Sequence, residues 1–299
     1  MLTHPYRFVA FAARAARGLL LAASLLACAA HADDLPRTGG PYVPTPQEVV
    51  DRMLQLAEVG PGDFVIDLGS GDGRMVLTAA RRYGASGLGV DIDAELVASS
   101  RAEAERLELA DRVQFRVEDV TRTPLGAASV VTLYLLPGLM RVLRPRLLAE
   151  LAPGSRIVAH DFDLGEWKAD RELAVDVKEK YGTPGAWKSM LYLWTVPASI
   201  AGTWQVEEVE DGRTERMLLR LDQRFQYFDG TASRAGSRLA LSAGRLDGAR
   251  VAFRVEAEVG RSTLYTGVVE GHTMRGTAET ERGRVRWSAT RVASGAARR

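Results

Sequence analysis

The sequence predicts an α/β protein, a doubly wound sheet with helices on both faces, followed by a small all-β antiparallel unit that is either a barrel or a sandwich. Three observations predict it. From Gln47 to about Val196, short apolar runs alternate with segments of helical period, the pattern of strands joined by crossover helices. From Gly202 that period ends, and turn pairs such as Asp211-Gly212, Asp229-Gly230, Asp247-Gly248 and Glu270-Gly271 divide the chain into short β-rich runs. The 299 residues, 46% hydrophobic and 26% charged, are enough for two folded units with substantial cores.

The elements follow in chain order. Residues 1–32 read as a secretory signal, because Arg7, Arg14 and Arg17 precede the apolar run 18–30 and Ala30-His31-Ala32 has the small-x-small form of a cleavage site. Export to the periplasm is the expectation, with a membrane or lipid anchor through residues 18–30 as the alternative. A Pro-rich lead-in, 33–46, precedes a helix over Val49–Leu56. The strand Phe64–Leu68 runs into glycines, and Gly87–Asp91, Val113–Val117, Ser129–Leu133 and Arg156–His160 are further strands. Helices lie over Ala94–Leu107 and Met140–Leu151. Met190–Val196 closes the sheet as an antiparallel strand, which sets the first domain at 47–198. The β unit spans 201–293 and leaves a tail, 294–299.

Composition narrows the chemistry. One cysteine, Cys28, and four histidines without a cluster leave no ligand set for zinc, so no metal is expected. The formal charge of +1, or −2 once the signal leaves with its three arginines, does not point to nucleic acid.

The informative stretch is Asp67-Leu68-Gly69-Ser70-Gly71-Asp72-Gly73-Arg74, an apolar strand that ends in an acid and alternate glycines before a helix. Glycines let a ligand approach the backbone, and the helix start offers unsatisfied N–H groups. A dinucleotide fingerprint needs its third glycine at position 74, where Arg74 stands, so a pyrophosphate and a nicotinamide dehydrogenase are disfavoured. Asp91 ends the next strand, where a carboxylate accepts the two hydroxyls of a ribose. These residues describe a nucleoside site.

Here the sequence resembles the class I S-adenosylmethionine-dependent methyltransferases, whose first motif is a strand, an acid and GxGxG. The resemblance covers about residues 41–196 and implies a seven-stranded Rossmann-like sheet. It assigns Gly69 and Gly71 to the methionine and ribose side of S-adenosyl-L-methionine, Asp91 to the ribose hydroxyls and Glu118-Asp119 to the adenine, with Asp67, Ser70, Gly73 and Ile92 also among the cofactor-binding residues. More narrowly, Pro41-Tyr42-Val43-Pro44 ahead of that motif is similar to the protein-lysine methyltransferases that modify ATP-synthase c subunits and related mitochondrial carriers. That likeness implies a protein lysine as acceptor. Tyr134 stands where such enzymes approach the transferred methyl, and His160 or Asp161 is placed to take the proton of an attacking amine. Asp93 reads as a helix cap, and Arg74 as the partner of a neighbouring acid. The other reading is an exported binding module with a vestigial cofactor site, whose β unit, opening on Gly202-Thr203-Trp204, resembles lipocalin-type barrels and does the binding.

Overall fold

Alternation of apolar strands and amphipathic helices builds the first half of the chain, seen in a computed structural model that describes residues 42–180, 182–210, 212–258, 261–281 and 283–292. Residues 1–32, expected to be a signal, most of the lead-in and the tail lie outside the described residues. Helix α1 (Gln47–Leu56) buries Val49, Val50, Met53, Leu54 and Leu56 against one face of the sheet. Strand β1 (Phe64–Leu68) is buried on both faces, as a central parallel strand must be. There follow α2 (Arg74–Tyr83), β2 (Ser86–Asp91), α3 (Ala94–Arg106), β3 (Val113–Val117), β4 (Val130–Leu133), α4 (Pro137–Glu150) and β5 (Arg156–His160). Asp93 caps α3, its Oδ1 accepting the amides of Glu95 (2.8 Å) and Leu96 (3.1 Å). Helix α4 starts three residues earlier than its apolar period suggests, because Pro137 suits the first helical turn.

The sheet is completed by two antiparallel strands, β6 (Arg171–Lys180) and β7 (Thr183–Thr195), giving the order β3-β2-β1-β4-β5-β7-β6. The expected strand Met190–Val196 matches only the end of β7, whereas β6 has its own alternation of Leu173, Val175 and Val177 with Glu172, Asp176 and Lys178, and the two strands form one hairpin that outreaches β5. Leu191 is the partner of His160 at the end of β5, and residues 183–190 continue beyond it paired with β6. This end, where the parallel strands terminate, is where open α/β sheets bind ligands.

The second half is a closed, eight-stranded up-and-down barrel: β8 (Gly202–Glu210), β9 (Arg213–Arg224), β10 (Tyr227–Arg234), β11 (Ser237–Asp247), β12 (Arg250–Glu258), β13 (Arg261–Glu270), β14 (Thr273–Thr280) and β15 (Gly283–Arg291). Pairing of β15 with β8 removes both sheet edges and decides for a barrel over a sandwich. Large rings fill its interior: Phe253 stacks on Tyr265 with centroids 4.9 Å apart, and Trp287 meets both edge-on at 5.9 Å. One end is closed by fully buried Trp204, over which the Arg291 guanidinium lies 4.5 Å from the ring centroid while donating to the Ser199 and Ala201 carbonyls. Towards the other end, Glu208 accepts from Tyr265 Oη and Arg234 Nη2, each at 2.5 Å.

The barrel meets the sheet through the Trp204 end. Phe225 stacks on Trp167 (5.8 Å, 9°), Gln226 Nε2 donates to the Lys168 carbonyl (2.9 Å), and the Ala198 amide donates to the Gly248 carbonyl (2.9 Å). Gly248 lies against Gly154, just ahead of β5, so the contact is at the amino-terminal ends of the strands. Among the described residues, no helix is long and apolar enough to cross a membrane.

Candidate active site

The loop from β1 to α2 is shaped by its glycines. Gly71 and Gly73 take φ of 51° and 77°, and a Cβ there would fall 2.5 Å from the Tyr42 ring and 2.7 Å from the Phe115 ring, so side chains are excluded by both backbone and space. The amides of Gly69 and Ser70 donate to the Val90 carbonyl (2.9 Å each), and Gly71 N donates to Asp91 Oδ2 (2.8 Å). Asp91 Oδ1 accepts the amide of Asp93 (3.0 Å). The carboxylate is thereby fixed at the end of β2, and two backbone bonds leave part of its acceptor capacity for hydroxyls. Exposed Ile92 beside it offers an apolar surface for a flat ring.

Asp67, 7% exposed, accepts from Thr132 Oγ1 at 2.6 Å. Burial pushes its pKa up to about 7; the Thr132 bond opposes this, and the negative Asp91 and Asp72 reinforce it. Ser70 Oγ is buried and has no hydrogen-bond partner among the described residues. Glu118 and Asp119 follow β3 beside this cluster, the Glu118 amide donating to the Asp91 carbonyl (2.9 Å). Asp119 Oδ1 accepts from the Thr121 amide (2.8 Å) and hydroxyl (2.7 Å), which shapes the turn.

The sequence-predicted cofactor residues therefore gather at the ends of β1, β2 and β3. Their donors and acceptors fit a nucleoside that carries a short charged tail: carboxylate for a diol, apolar face for a base, glycine cradle for close approach. Residues 42–46 form a strap that periodicity did not reveal. Arg74 forks onto Asp72 (Nε–Oδ1 2.9 Å, Nη2–Oδ2 2.5 Å) and donates from Nη1 to the Thr45 carbonyl (2.7 Å). Burial raises the Asp72 pKa, but the bonds and charge of Arg74 hold it below its ordinary value. The one sequence signal for this strap was the Pro41-Tyr42-Val43-Pro44 run.

Tyr134, His160 and Asp161 come together at the ends of β4 and β5. The Tyr134 ring lies 4.0 Å from that of His160 and 6.3 Å from Phe162. His160, 1% exposed, has both ring nitrogens taken by hydroxyls: Nδ1 by Thr45 of the strap (3.2 Å) and Nε2 by Ser189 of β7 (2.9 Å). Burial brings its pKa down to about 4, Asp161 opposing and Lys180 assisting, so the ring is neutral at physiological pH. Asp161, at φ 60°, turns its carboxylate to the overhanging hairpin, where Oδ1 accepts from the Met190 amide (3.0 Å) and the Lys180 ammonium (2.9 Å), and Oδ2 is ion-paired with the same ammonium at 2.8 Å. Lys180 Nζ also donates to the Lys188 carbonyl (2.7 Å). Thr45, Ser189 and Lys180 were not singled out by sequence reasoning, since they reach the site from distant parts of the chain.

A glycine loop flanked by a buried and a ribose-placed acid, at the carboxyl ends of a 3-2-1-4-5-7-6 sheet, defines a class I S-adenosylmethionine-dependent methyltransferase. The profile of the ANTKMT methyltransferase domain matches residues 67–171. The protein-lysine N-methyltransferase of Saccharolobus islandicus is 37% identical over 137 residues, 46% of this chain and 85% of that one, and the chain belongs to this methyltransferase family. The adenine nucleotide translocase lysine N-methyltransferase of Mus musculus is 33% identical over 145 residues, 46% of this chain and 63% of its own. An RNA methyltransferase of Salinibacter ruber, solved in complex with S-adenosyl-L-homocysteine, is 47% identical, covers 53% of this chain and 96% of its own, and has a TM-score of 0.48.

Proposed function

We propose that this enzyme transfers the methyl group of S-adenosylmethionine to the side-chain nitrogen of a lysine in a protein. The observation that supports the acceptor is chemical: beside Tyr134, where β4 and β5 end, the Asp161 carboxylate binds an alkyl ammonium, that of Lys180, at 2.8 Å. Lysine-methylating relatives support the same reading.

In this proposal Asp91 binds the ribose diol, Ile92 and the Glu118-Asp119 turn flank the adenine, and Gly69, Ser70, Gly71 and Gly73 admit the rest of the donor beside Asp67. Bound there, the donor supplies a sulfonium, already a good leaving group, so the protein aligns a neutral amine and excludes water. With Lys180 displaced from it, Asp161 seats the acceptor's ammonium and takes up its proton. Tyr134 and Phe162 wall the alkyl stem. His160 positions Tyr134 by ring contact and ties the strap to β7 through its two hydroxyl partners. A lysine is almost wholly protonated at neutral pH, its ordinary pKa being about 10.4, so turnover should rise with pH throughout the range below that value.

Calorimetric titration with S-adenosylmethionine, with NAD as control, tests the donor. Incubation with labelled donor and cell protein or cell RNA, followed by hydrolysis, tests the acceptor. Label recovered as methyllysine is the expected result; label in RNA alone, or none despite donor binding, overturns the lysine assignment.

A further inference from the structure

We infer that Lys180 is itself a methyl acceptor, a self-modification site that the β6–β7 hairpin carries to Asp161. The inference rests on the lysine reading above and extends it to a residue of this chain. Three observations lead to it.

The hairpin overhangs the reacting end of the sheet: β7 leaves β5 at the His160–Leu191 pair, and its residues 183–190 continue with β6 past that end. Lys180 folds back from the hairpin tip so that its ammonium, on a side chain 11% exposed, meets both Asp161 oxygens. Finally, lysine is a rare choice here. The chain has 35 arginines and four lysines, at 168, 178, 180 and 188. Most ion pairs of the described residues use arginine, among them Arg74–Asp72, Arg156–Asp63 and Arg245–Asp170. A planar guanidinium would hold the carboxylate in two-pronged fashion but stays protonated; an amine becomes a nucleophile on losing one proton.

The step balances within the site. A proton passes from Nζ to the Asp161 carboxylate and on to water, the freed lone pair forms an N–C bond with the methyl carbon of a sulfonium donor, and the C–S bond breaks with its electron pair going to sulfur. Each methyl added replaces one N–H. The ammonium that now serves Asp161 and the Lys188 carbonyl would lose donors in turn, loosening the hairpin from β5.

The test uses the full chain. It is incubated with S-adenosylmethionine carrying a deuterated methyl and mapped by peptide mass, with Lys180→Arg as control. A second readout needs no turnover: acylation of the four lysines by an amine-reactive ester with and without S-adenosylhomocysteine, whose binding is measured by calorimetry. Heavy methyl is expected on Lys180 and not in the Lys180→Arg peptide, and S-adenosylhomocysteine should protect Lys180 about threefold more than Lys178 and Lys188 on the same hairpin. In a protein that binds S-adenosylhomocysteine, absence of heavy methyl from Lys180, or equal protection of the three lysines, overturns the inference and leaves methylation of other proteins intact. No binding overturns both.

Discussion

Asp67 and His160 are buried at the carboxyl ends of strands two apart in the sheet, and burial moves their protonation in opposite directions. Asp67, ordinarily 3.8, titrates at about 7 in the fold, and His160, ordinarily 6.5, at about 4. Between pH 3.8 and 7 the native Asp67 keeps a proton that the unfolded chain releases, so its contribution to stability falls as pH rises. Between pH 6.5 and 4 the unfolded His160 takes up a proton that the native ring refuses, so its contribution falls as pH falls. Each amounts to a few kcal/mol, on the order of 1.4 kcal/mol per pKa unit, at the far side of its window, and over the shared range the slopes oppose. In denaturant titrations from pH 4 to 8, Asp67→Asn should gain stability relative to wild type as pH rises. His160→Asn should gain it as pH falls; parallel curves would refute both assignments.

Asp91→Ala should weaken S-adenosylmethionine binding about 30-fold, the equivalent of roughly 2 kcal/mol for a lost charge-assisted carboxylate. Asp93→Ala, two residues on, removes a helix cap and should cost about 1 kcal/mol of stability with little change in affinity. Paired calorimetry and thermal melts on the two variants check the contrast.

Tyr134→Phe keeps the ring against His160 and should retain kcat within about tenfold, whereas Tyr134→Ala removes the wall of the acceptor site and should lower kcat about a hundredfold or more. Donor affinity should be unchanged in both. Equal turnover in the two variants would show that the ring has no part in aligning the acceptor.

Trp204→Ala should destabilise the barrel by about 3 to 5 kcal/mol, since it empties the space beneath Arg291. Binding of S-adenosylmethionine below the variant's melting temperature should stay within about twofold of wild type, because the barrel contacts the amino-terminal ends of the strands. A melt followed by tryptophan fluorescence, with calorimetry alongside, measures both.

What the sequence disclosed and what it hid divide along the range of the interactions. The Asp67–Gly73 loop, the ribose-placed Asp91 and the Asp93 cap depend on neighbours in the chain, and spacing alone locates them. The eight barrel strands are marked by their turns. Whether they close is set by the pairing of β8 with β15, which no local signal carries. Strand β6 carries a period-two alternation, Leu173, Val175 and Val177 between Glu172, Asp176 and Lys178, so its strand character is legible, while its place beside β7 comes from tertiary packing on α1. The Thr45–His160–Ser189 chain joins residues 115 and 29 positions apart, so an isolated histidine at a strand end gave no indication of which hydroxyls would hold it.

The barrel's mode of attachment sets it and the site at opposite ends of the sheet. Because Phe225 and Gln226 clasp the underside of the sheet, the strands of the barrel stand clear of the chemistry, and the two halves are open to independent change. New loops or charges on the barrel's far rim would leave every group at the cofactor end of the sheet as it is.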